Sequence, residues 1–256
     1  MFKKLKLFLI FCSLGIAFFA FYRANYEVPI LMYHRITEPE GKDAALSVSP
    51  KTFEKQMEFL KSHRYRVISL EELIQRLRAR RSAPFNTVVI TFDDGTVDNI
   101  GKAYPILRKM NLPATIFMIT DNIGKEGWLA DEDLRLLDEA GIAIGSHTVH
   151  HRYLPDVLTD DEVRTELRDS KKRLESILGH SISLFSYPAG GADDRIEGLV
   201  EKEGYTGAVT TNYGRKKADL YALHRIKIKE SGSNLFNFWL KTSGLYQLGK
   251  KHIERD

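Results

Sequence analysis

Cysteine is nearly absent from this chain. The one cysteine among 256 residues, Cys12, lies inside the first apolar run, so the rest of the chain can form no disulfide and use no thiol chemistry. The lack of disulfides does not exclude export from the cytoplasm, because many exported bacterial domains have none. Internal repeats and low-complexity linkers are also missing, which argues against a solenoid or a disordered protein.

An excess of charge of one sign is missing as well. The formal net charge is +4, and Lys3, Lys4 and Lys6 account for three of these charges, so the remaining chain is nearly neutral. A nearly neutral domain offers no basic surface for nucleic acid. The hydrophobic fraction of 43% and the aromatic fraction of 11% are typical of a globular protein with a sizeable core.

The N-terminus has the pattern of a membrane segment. Residues 7–22 contain no charge and follow the three lysines. A membrane-spanning helix needs roughly 20 apolar residues, with about 17 as the short limit. We expect residues 1–24 to form an uncleaved single-pass anchor in the cell membrane, with the lysines in the cytoplasm and the rest of the chain outside it. A cleaved signal peptide is the alternative, but bulky residues such as Phe18 and Phe19 crowd the position of a cleavage site.

After this segment, apolar runs of the β type alternate with amphipathic helical stretches. Most of these runs are continuous, as expected for strands that are covered on both faces. The predicted strands are 28–33, 66–68, 87–92, 114–119, 142–145, 182–187, 205–210 and 223–228. Alternating strands and helices predict a parallel sheet, and about eight strands in this length favour a closed barrel over an open sheet.

Several helix ends can be predicted from capping residues. Ser69 with Glu72 and Thr159 with Glu162 have the spacing of capping boxes, and Pro50 suits a first helical turn. Glycines expected just after helices are Gly141, Gly179 and Gly204. The tail, residues 231–256, is unusually apolar for a terminus. We expect it either to pack on the domain or to lie on the membrane surface.

Acidic and imidazole side chains follow the carboxyl ends of three predicted strands. Asp93 and Asp94 follow strand 87–92, His147 and His151 follow strand 142–145, and His34 follows strand 28–33. Parallel α/β folds bring the carboxyl ends of their strands to one rim, where their chemistry is placed. These side chains are therefore expected to lie close together.

The residue types on this rim suit a divalent metal ion. Two adjacent carboxylates repel each other, and a cation held by Asp94 would relieve that repulsion and leave Asp93 as a general base. His147 and His151, four residues apart, can reach the same ion, and the open positions that remain are typical of a catalytic site. The alternative is that these residues bind no metal. One aspartate would then cap the next helix while the other is solvated, and the histidines would be ordinary surface or core residues. Zinc, cobalt, nickel and manganese all accept such ligands.

Four segments resemble a known family. ITFDDG (90–95), SHTVHHRYL (146–154) and SYPAGG (186–191) are similar to successive motifs of the polysaccharide deacetylases, the NodB-homology domains of carbohydrate esterase family four. PILMYHRI (29–36) resembles the start of the membrane-anchored or exported branch, which deacetylates poly-N-acetylglucosamine or cell-wall glycans. The resemblance extends from residue 29 to about residue 228.

The resemblance implies a fold, a reaction and a set of site residues. It implies a distorted (β/α) barrel of seven or eight strands over residues 28–230, and metal-dependent hydrolysis of N-acetyl groups on a glycan. The implied cofactor is a divalent metal ion, with zinc first and cobalt, nickel or manganese as alternatives. The implied site residues are Asp93 as catalytic base, His224 as general acid, Asp94, His147 and His151 as metal ligands, and Ala189 and His34 at the oxyanion or substrate.

Four features depart from the family pattern. Ser186 stands where many members have the arginine that orients the base, and Ala189 stands where many have an aromatic residue. The acidic motif expected at residues 210–214 is not recognisable, and the local match around His224 is loose enough that Arg225 is the more meaningful residue there. Three other functions stay open: a deacylase of a lipid-linked sugar, a non-catalytic glycan-binding protein, and a structural partner of a polysaccharide export machine.

Overall fold

The computed structural model describes residues 2–157, 159–211, 219–230, 234–244 and 246. Most of the acidic motif sought at 210–214, and much of the predicted tail 231–256, lie outside the described residues. Its strands are β1 (Ile30–Tyr33), β2 (Arg35–Ile36), β3 (Ser47–Val48), β4 (Arg66–Val67), β5 (Thr87–Phe92), β6 (Thr115–Met118), β7 (Ala143–Ser146), β8 (Leu184–Ser186), β9 (Gly207–Thr210) and β10 (Leu223–Lys227). Its α-helices are α1 (Phe2–Asn25), α2 (Pro50–Ser62), α3 (Leu70–Arg78), α4 (Tyr104–Met110), α5 (Asp131–Glu139), α6 (Leu154–Val157), α7 (Asp160–Leu178), α8 (Asp194–Lys202) and α9 (Leu235–Thr242).

Seven parallel strands close into a barrel. Around the barrel the order is β1, β5, β6, β7, β8, β9 and β10, and β10 pairs again with β1. Strand β4 lies outside this ring and pairs only with the first residues of β5. The predicted α/β barrel is therefore confirmed, and each of the eight predicted strands is present. The short pair of β2 and β3 was not predicted.

The strands form because their side chains are covered on both faces. All six residues of β5 are buried, which is the pattern expected when helices pack outside a barrel and side chains fill its inside. The predicted helix starts are also observed. The hydroxyls of Ser49, Ser69 and Thr159 accept hydrogen bonds from backbone N–H groups in the first turns of α2, α3 and α7. Gly179 ends α7 with φ of 76°, in the left-handed region.

The two ends of the described chain contact each other and the barrel domain. The hydroxyl of Tyr22 in α1 donates to the carbonyl of Ser243 at 2.8 Å. Phe238 of α9 is fully buried and packs edge-on against Phe59 of α2. The described part of the tail therefore packs on the barrel, while the domain boundaries at 28–230 and 231–256 stay predictions.

Helix α1 has many apolar side chains exposed to solvent, among them Phe11, Ile16 and Phe18. Within the described part of the chain, no helix has both the length and the apolar character needed to cross a bilayer.

Candidate active site

A cavity of about 730 Å³ opens at the carboxyl ends of the barrel strands. Loops that follow β1, β5, β7 and β8 form part of its wall, and β10 supplies another part. All seven residues singled out from the sequence border this cavity: His34, Asp93, Asp94, His147, His151, Ala189 and His224. The structure therefore brings them together, whereas the role of each stays a prediction.

Asp93 is a buried carboxylate held by an arginine. Its side chain lies just beyond β5, and Arg225 of β10 donates to its two oxygens at 2.6 and 2.5 Å. Burial acts to raise the pKa of Asp93, but the charges of Arg225 and His147 hold that pKa below its usual range. Because guanidinium is a planar fork, this paired contact fixes the orientation of the carboxylate as well as its charge. Asp93 is thus an oriented carboxylate at neutral pH.

Ser186 connects this pair to the third motif. Arg225 donates to the Ser186 hydroxyl at 2.9 Å, and that hydroxyl donates to Asp93 at 3.3 Å. The family arginine that is missing at position 186 is thus replaced by a guanidinium that approaches from another strand. The small Ser186 leaves the space that Arg225 occupies. The structure agrees with the sequence argument that Arg225 is the meaningful residue of its segment.

Asp94, His147 and His151 form a cluster beside Asp93. The Asp94 Oδ1 atom lies 3.7 Å from His147 Nε2 and 3.8 Å from His151 Nε2, and the three potential ligand atoms all lie within 4.8 Å of one another. These distances are too long for hydrogen bonds but suit atoms that surround one ion. His147 Nδ1 donates to the Ser186 carbonyl at 2.8 Å, which leaves Nε2 as the unprotonated nitrogen that faces Asp94.

The electrostatics of this cluster fit a cation. Burial lowers the pKa of His147 to about 4 and also lowers that of His151, so both imidazoles are neutral at neutral pH. Burial, with the adjacent charge of Asp93, raises the pKa of Asp94 to about 7. Among the described residues, Asp94 forms no ion pair with a lysine or arginine, and Arg225 is paired with Asp93 instead. Two neutral imidazoles and such a carboxylate are a suitable ligand set for a divalent metal ion.

The backbone around the cluster is held in an unusual conformation. Asp94, Thr148, His151 and Ala189 have φ values of 74°, 66°, 57° and 51°, all in the left-handed region. This conformation costs roughly 1–3 kcal/mol for a residue other than glycine and is concentrated at functional sites. Gly95 also has a positive φ, and a Cβ placed on it would lie 2.1 Å from the sulfur of Met118. The turn after β5 thus requires glycine at this position.

Glu166 of α7 braces the turn that carries the two histidines. Its buried carboxylate accepts hydrogen bonds from the backbone N–H groups of Val149 and His150 at 2.9 and 3.0 Å, and it pairs with His150 Nδ1 at 2.7 Å. The brace holds the segment between His147 and His151. Sequence reasoning missed Glu166, although a signal was present: an acid on the apolar face of a helix, next to Val163 and Leu167.

His34 and His224 border the cavity from β1 and β10. Burial lowers the pKa of His34 to about 4 against the opposing charge of Asp93, so a neutral ring faces the site. Among the described residues, its buried Nδ1 has no hydrogen-bond partner, which suits a contact to substrate. His224 precedes Arg225, and successive strand residues point to opposite faces. His224 therefore does not share the direction of Arg225, and its role as general acid stays a prediction.

Comparisons with known proteins agree with this geometry. The family model "Polysaccharide deacetylase" matches residues 80–208. The Bacillus subtilis protein YxkH is 36% identical over 204 residues, which cover 79% of this chain and 71% of that protein. A poly-beta-1,6-N-acetyl-D-glucosamine N-deacetylase of Staphylococcus aureus is 28% identical over 62% of this chain and 59% of its own length. The structure of the Streptococcus pyogenes deacetylase PplD in complex with acetate is similar with a TM-score of 0.77 and 31% identity, over 84% of this chain and 97% of that chain.

The barrel and its site define a hydrolase in which an oriented carboxylate lies beside a potential metal cluster. The chain belongs to the polysaccharide deacetylase family. It is accordingly a carbohydrate N-deacetylase, an enzyme that hydrolyses C–N bonds other than peptide bonds.

Proposed function

We propose that this protein removes N-acetyl groups from an N-acetylated polysaccharide or cell-envelope glycan, in a reaction that depends on a divalent metal ion. The observation that supports this best is the juxtaposition of two different carboxylates. Asp93 is ionised and held by Arg225, whereas Asp94 forms no ion pair with a lysine or arginine in the part of the chain that the structure describes, and faces two neutral imidazoles. One carboxylate is thus ready to accept a proton and the other to bind a cation.

The proposed metal ligands are Asp94, His147 and His151, with zinc as the first candidate and cobalt, nickel or manganese as alternatives. When bound, such an ion polarises the acetamide carbonyl and lowers the pKa of water from about 15.7 toward about 7. The Ser186 carbonyl orients His147, and Glu166 holds the turn that leads to His151.

Residues of the chain itself are proposed to transfer the protons and stabilise the charge that develops in the reaction. Asp93 accepts the proton of the attacking water, and Arg225 keeps the carboxylate aimed while it does so. The backbone N–H of Ala189 is proposed to stabilise the oxyanion that forms on the acetyl carbon, and His34 to contact the substrate. His224 is proposed to protonate the departing amine.

Relatives support the choice of substrate class. The matched staphylococcal enzyme is named for poly-beta-1,6-N-acetyl-D-glucosamine. The similar Streptococcus pyogenes deacetylase was solved in complex with acetate, which is the product of deacetylation. We also propose an extracytoplasmic location with the N-terminal segment as membrane anchor. That part rests on the order of three lysines followed by an apolar run in the sequence.

Acetate release from several N-acetylated glycans, with and without a chelator, tests the proposal. We expect release from at least one glycan, loss of release in chelator, and recovery when zinc is restored. The Asp93→Asn variant is the matched negative control. Glycan binding without acetate release from any substrate would instead support the non-catalytic alternative.

A separate experiment tests the proposed proton donor. The His224→Gln variant should lower kcat about a hundredfold with little change in KM, because a general acid contributes about 10²–10⁴-fold. His34→Gln should mainly raise KM. A kcat for His224→Gln within about twofold of the parent would remove His224 from the mechanism and leave the deacetylase assignment intact.

A further inference from the structure

Beyond the residues that take part in hydrolysis, the cavity has a basic wall. Strand β10 brings Lys227 to the cavity, on the same strand face as Arg225 because side chains two residues apart point the same way. The segment just after β10 brings the exposed Lys229 to the same cavity. Lys241 of α9 borders the cavity as well, and its Nζ atom donates to the Lys227 carbonyl at 2.8 Å. We use the name basic wall for Lys227 and Lys229.

The basic wall is separate from the contacts that hold the two aspartates. Arg225 is paired with Asp93, and Asp94 faces the two imidazoles. Among the described residues, neither Lys227 nor Lys229 forms an ion pair with a carboxylate. Lys227 is nonetheless partly buried, and burial together with the charge of Lys229 lowers its pKa against the opposing charges of Asp93 and Asp94. Two like charges held together on the wall of a cavity are unfavourable unless an anion joins them.

We infer that the basic wall selects a glycan that carries a phosphate group next to the N-acetylated sugar. This inference rests on the proposed deacetylase function and names its substrate class more closely. A neutral N-acetylglucosamine polymer offers only hydroxyl and amide groups, which give two ammonium groups nothing to neutralise. Lysines bind phosphate as point charges, whereas recognition of a planar carboxylate favours the fork of arginine.

Such a phosphate has two sources, and the experiment separates them. One is a phosphodiester or phosphomonoester within a soluble glycan, and the other is the phosphate of a sugar attached to a lipid. The probes are a β-1,6-linked N-acetylglucosamine oligomer, the same oligomer with a phosphate on the sugar next to an N-acetylated one, and a polyprenyl phosphate-linked N-acetylglucosamine in vesicles.

The test compares kcat/KM for acetate release by the parent enzyme and the K227Q/K229Q double variant. Lys102→Gln, an exposed position outside the cavity, is the matched control. We expect the parent to prefer one phosphorylated probe over the neutral oligomer by about tenfold or more. The double variant should lose that preference through a higher KM. The preference should also weaken as salt is raised, because the Debye length is about 10 Å at 0.1 M ionic strength.

The outcomes separate this inference from the proposed function. A phosphate preference in the soluble or the lipid-linked arm that disappears in the double variant supports the inference and identifies the source. If the parent enzyme has equal kcat/KM on phosphorylated and neutral probes, the inference is overturned. It is also overturned if the double variant loses kcat/KM equally on both kinds of probe. In either case the deacetylase function stands. No acetate from any probe contradicts the proposed function itself.

Discussion

The cavity has two halves that the chain builds in different ways. The motif half consists of Asp94, His147 and His151, which sit on loops held by left-handed backbone and by the buried carboxylate of Glu166. The β10 half consists of Arg225 and the basic wall: Arg225 and Lys227 lie on one face of β10, and Lys229 follows the end of the strand. Arg225 is paired with Asp93 in this half, whereas the lysines beyond it have no carboxylate partner among the described residues.

This difference separates chemistry from recognition. A metal cluster needs ligand atoms held within a few tenths of an ångström, and the motif half provides this through buried hydrogen bonds to its loops. Recognition of a variable glycan needs only charges and donors that can adapt. The side chains of the basic wall can be exchanged without moving the barrel. We therefore expect changes in the motif half to abolish the reaction, and changes in the basic wall to alter which substrate is used.

The largest effect should come from Asp93, which stands where the two halves meet. Asp93→Asn removes the proton acceptor but preserves shape, so kcat should fall about a thousandfold while zinc affinity stays within a few-fold of the parent. Acetate release and calorimetric titration measure the two properties. Asp121→Asn, an exposed aspartate, is the control. An active Asp93→Asn variant would show that another group is the base.

A smaller loss is expected for Arg225→Gln. This change leaves a buried carboxylate without its cation, so unfolding should become easier by about 3–5 kcal/mol and kcat should fall about a hundredfold. In the parent enzyme, Arg225 keeps the pKa of Asp93 below its usual range. Without Arg225, burial raises that pKa, so the acid limb of the kcat/KM profile should move to higher pH.

The pH profile distinguishes an orienting role from a merely structural one. Arg225→Lys keeps the charge but loses the paired geometry, so its acid limb should move less than that of Arg225→Gln while kcat remains low. If both variants kept the parent's acid limb, Arg225 would not control the charge of Asp93.

The smallest effect should come from the brace of the motif half. Glu166→Gln keeps the size of the side chain but loses the charged acceptor for two backbone N–H groups, so zinc affinity should fall about tenfold. Asp169→Asn, an exposed neighbour on α7, is the control. A zinc affinity equal to the parent's would mean that the turn holds His151 without Glu166.

Sequence reasoning predicted the barrel well because its signals are local. Continuous apolar runs such as 87–92 and capping residues such as Thr159 depend on a few adjacent positions, and each was found where predicted. The pair of β2 and β3 was missed because strands of two residues are too short to show a period. The membrane span expected at residues 1–24 rested on the apolar run and the three lysines before it, and stays a prediction.

The sequence predicted which residues border the site, but not all the contacts that hold them. Asp93, Asp94, His147 and His151 follow strand ends, so their proximity could be inferred from the expected parallel barrel. The contact of Arg225 with Asp93 joins residues that are 132 positions apart, and the brace by Glu166 comes from a separate helix. Such contacts depend on how the barrel closes, which no local pattern records.

The account depends most on a metal ion bound by Asp94, His147 and His151. Calorimetric titration of zinc into the metal-free protein tests it directly, with Asp94→Asn, His147→Gln and His151→Gln as matched variants. We predict one ion per chain, an affinity that each variant lowers at least about a hundredfold, and a parent affinity that rises with pH up to about 7, because Asp94 must lose its proton to bind. Tight zinc binding that none of the three variants weakens, or no binding at all, would contradict the account.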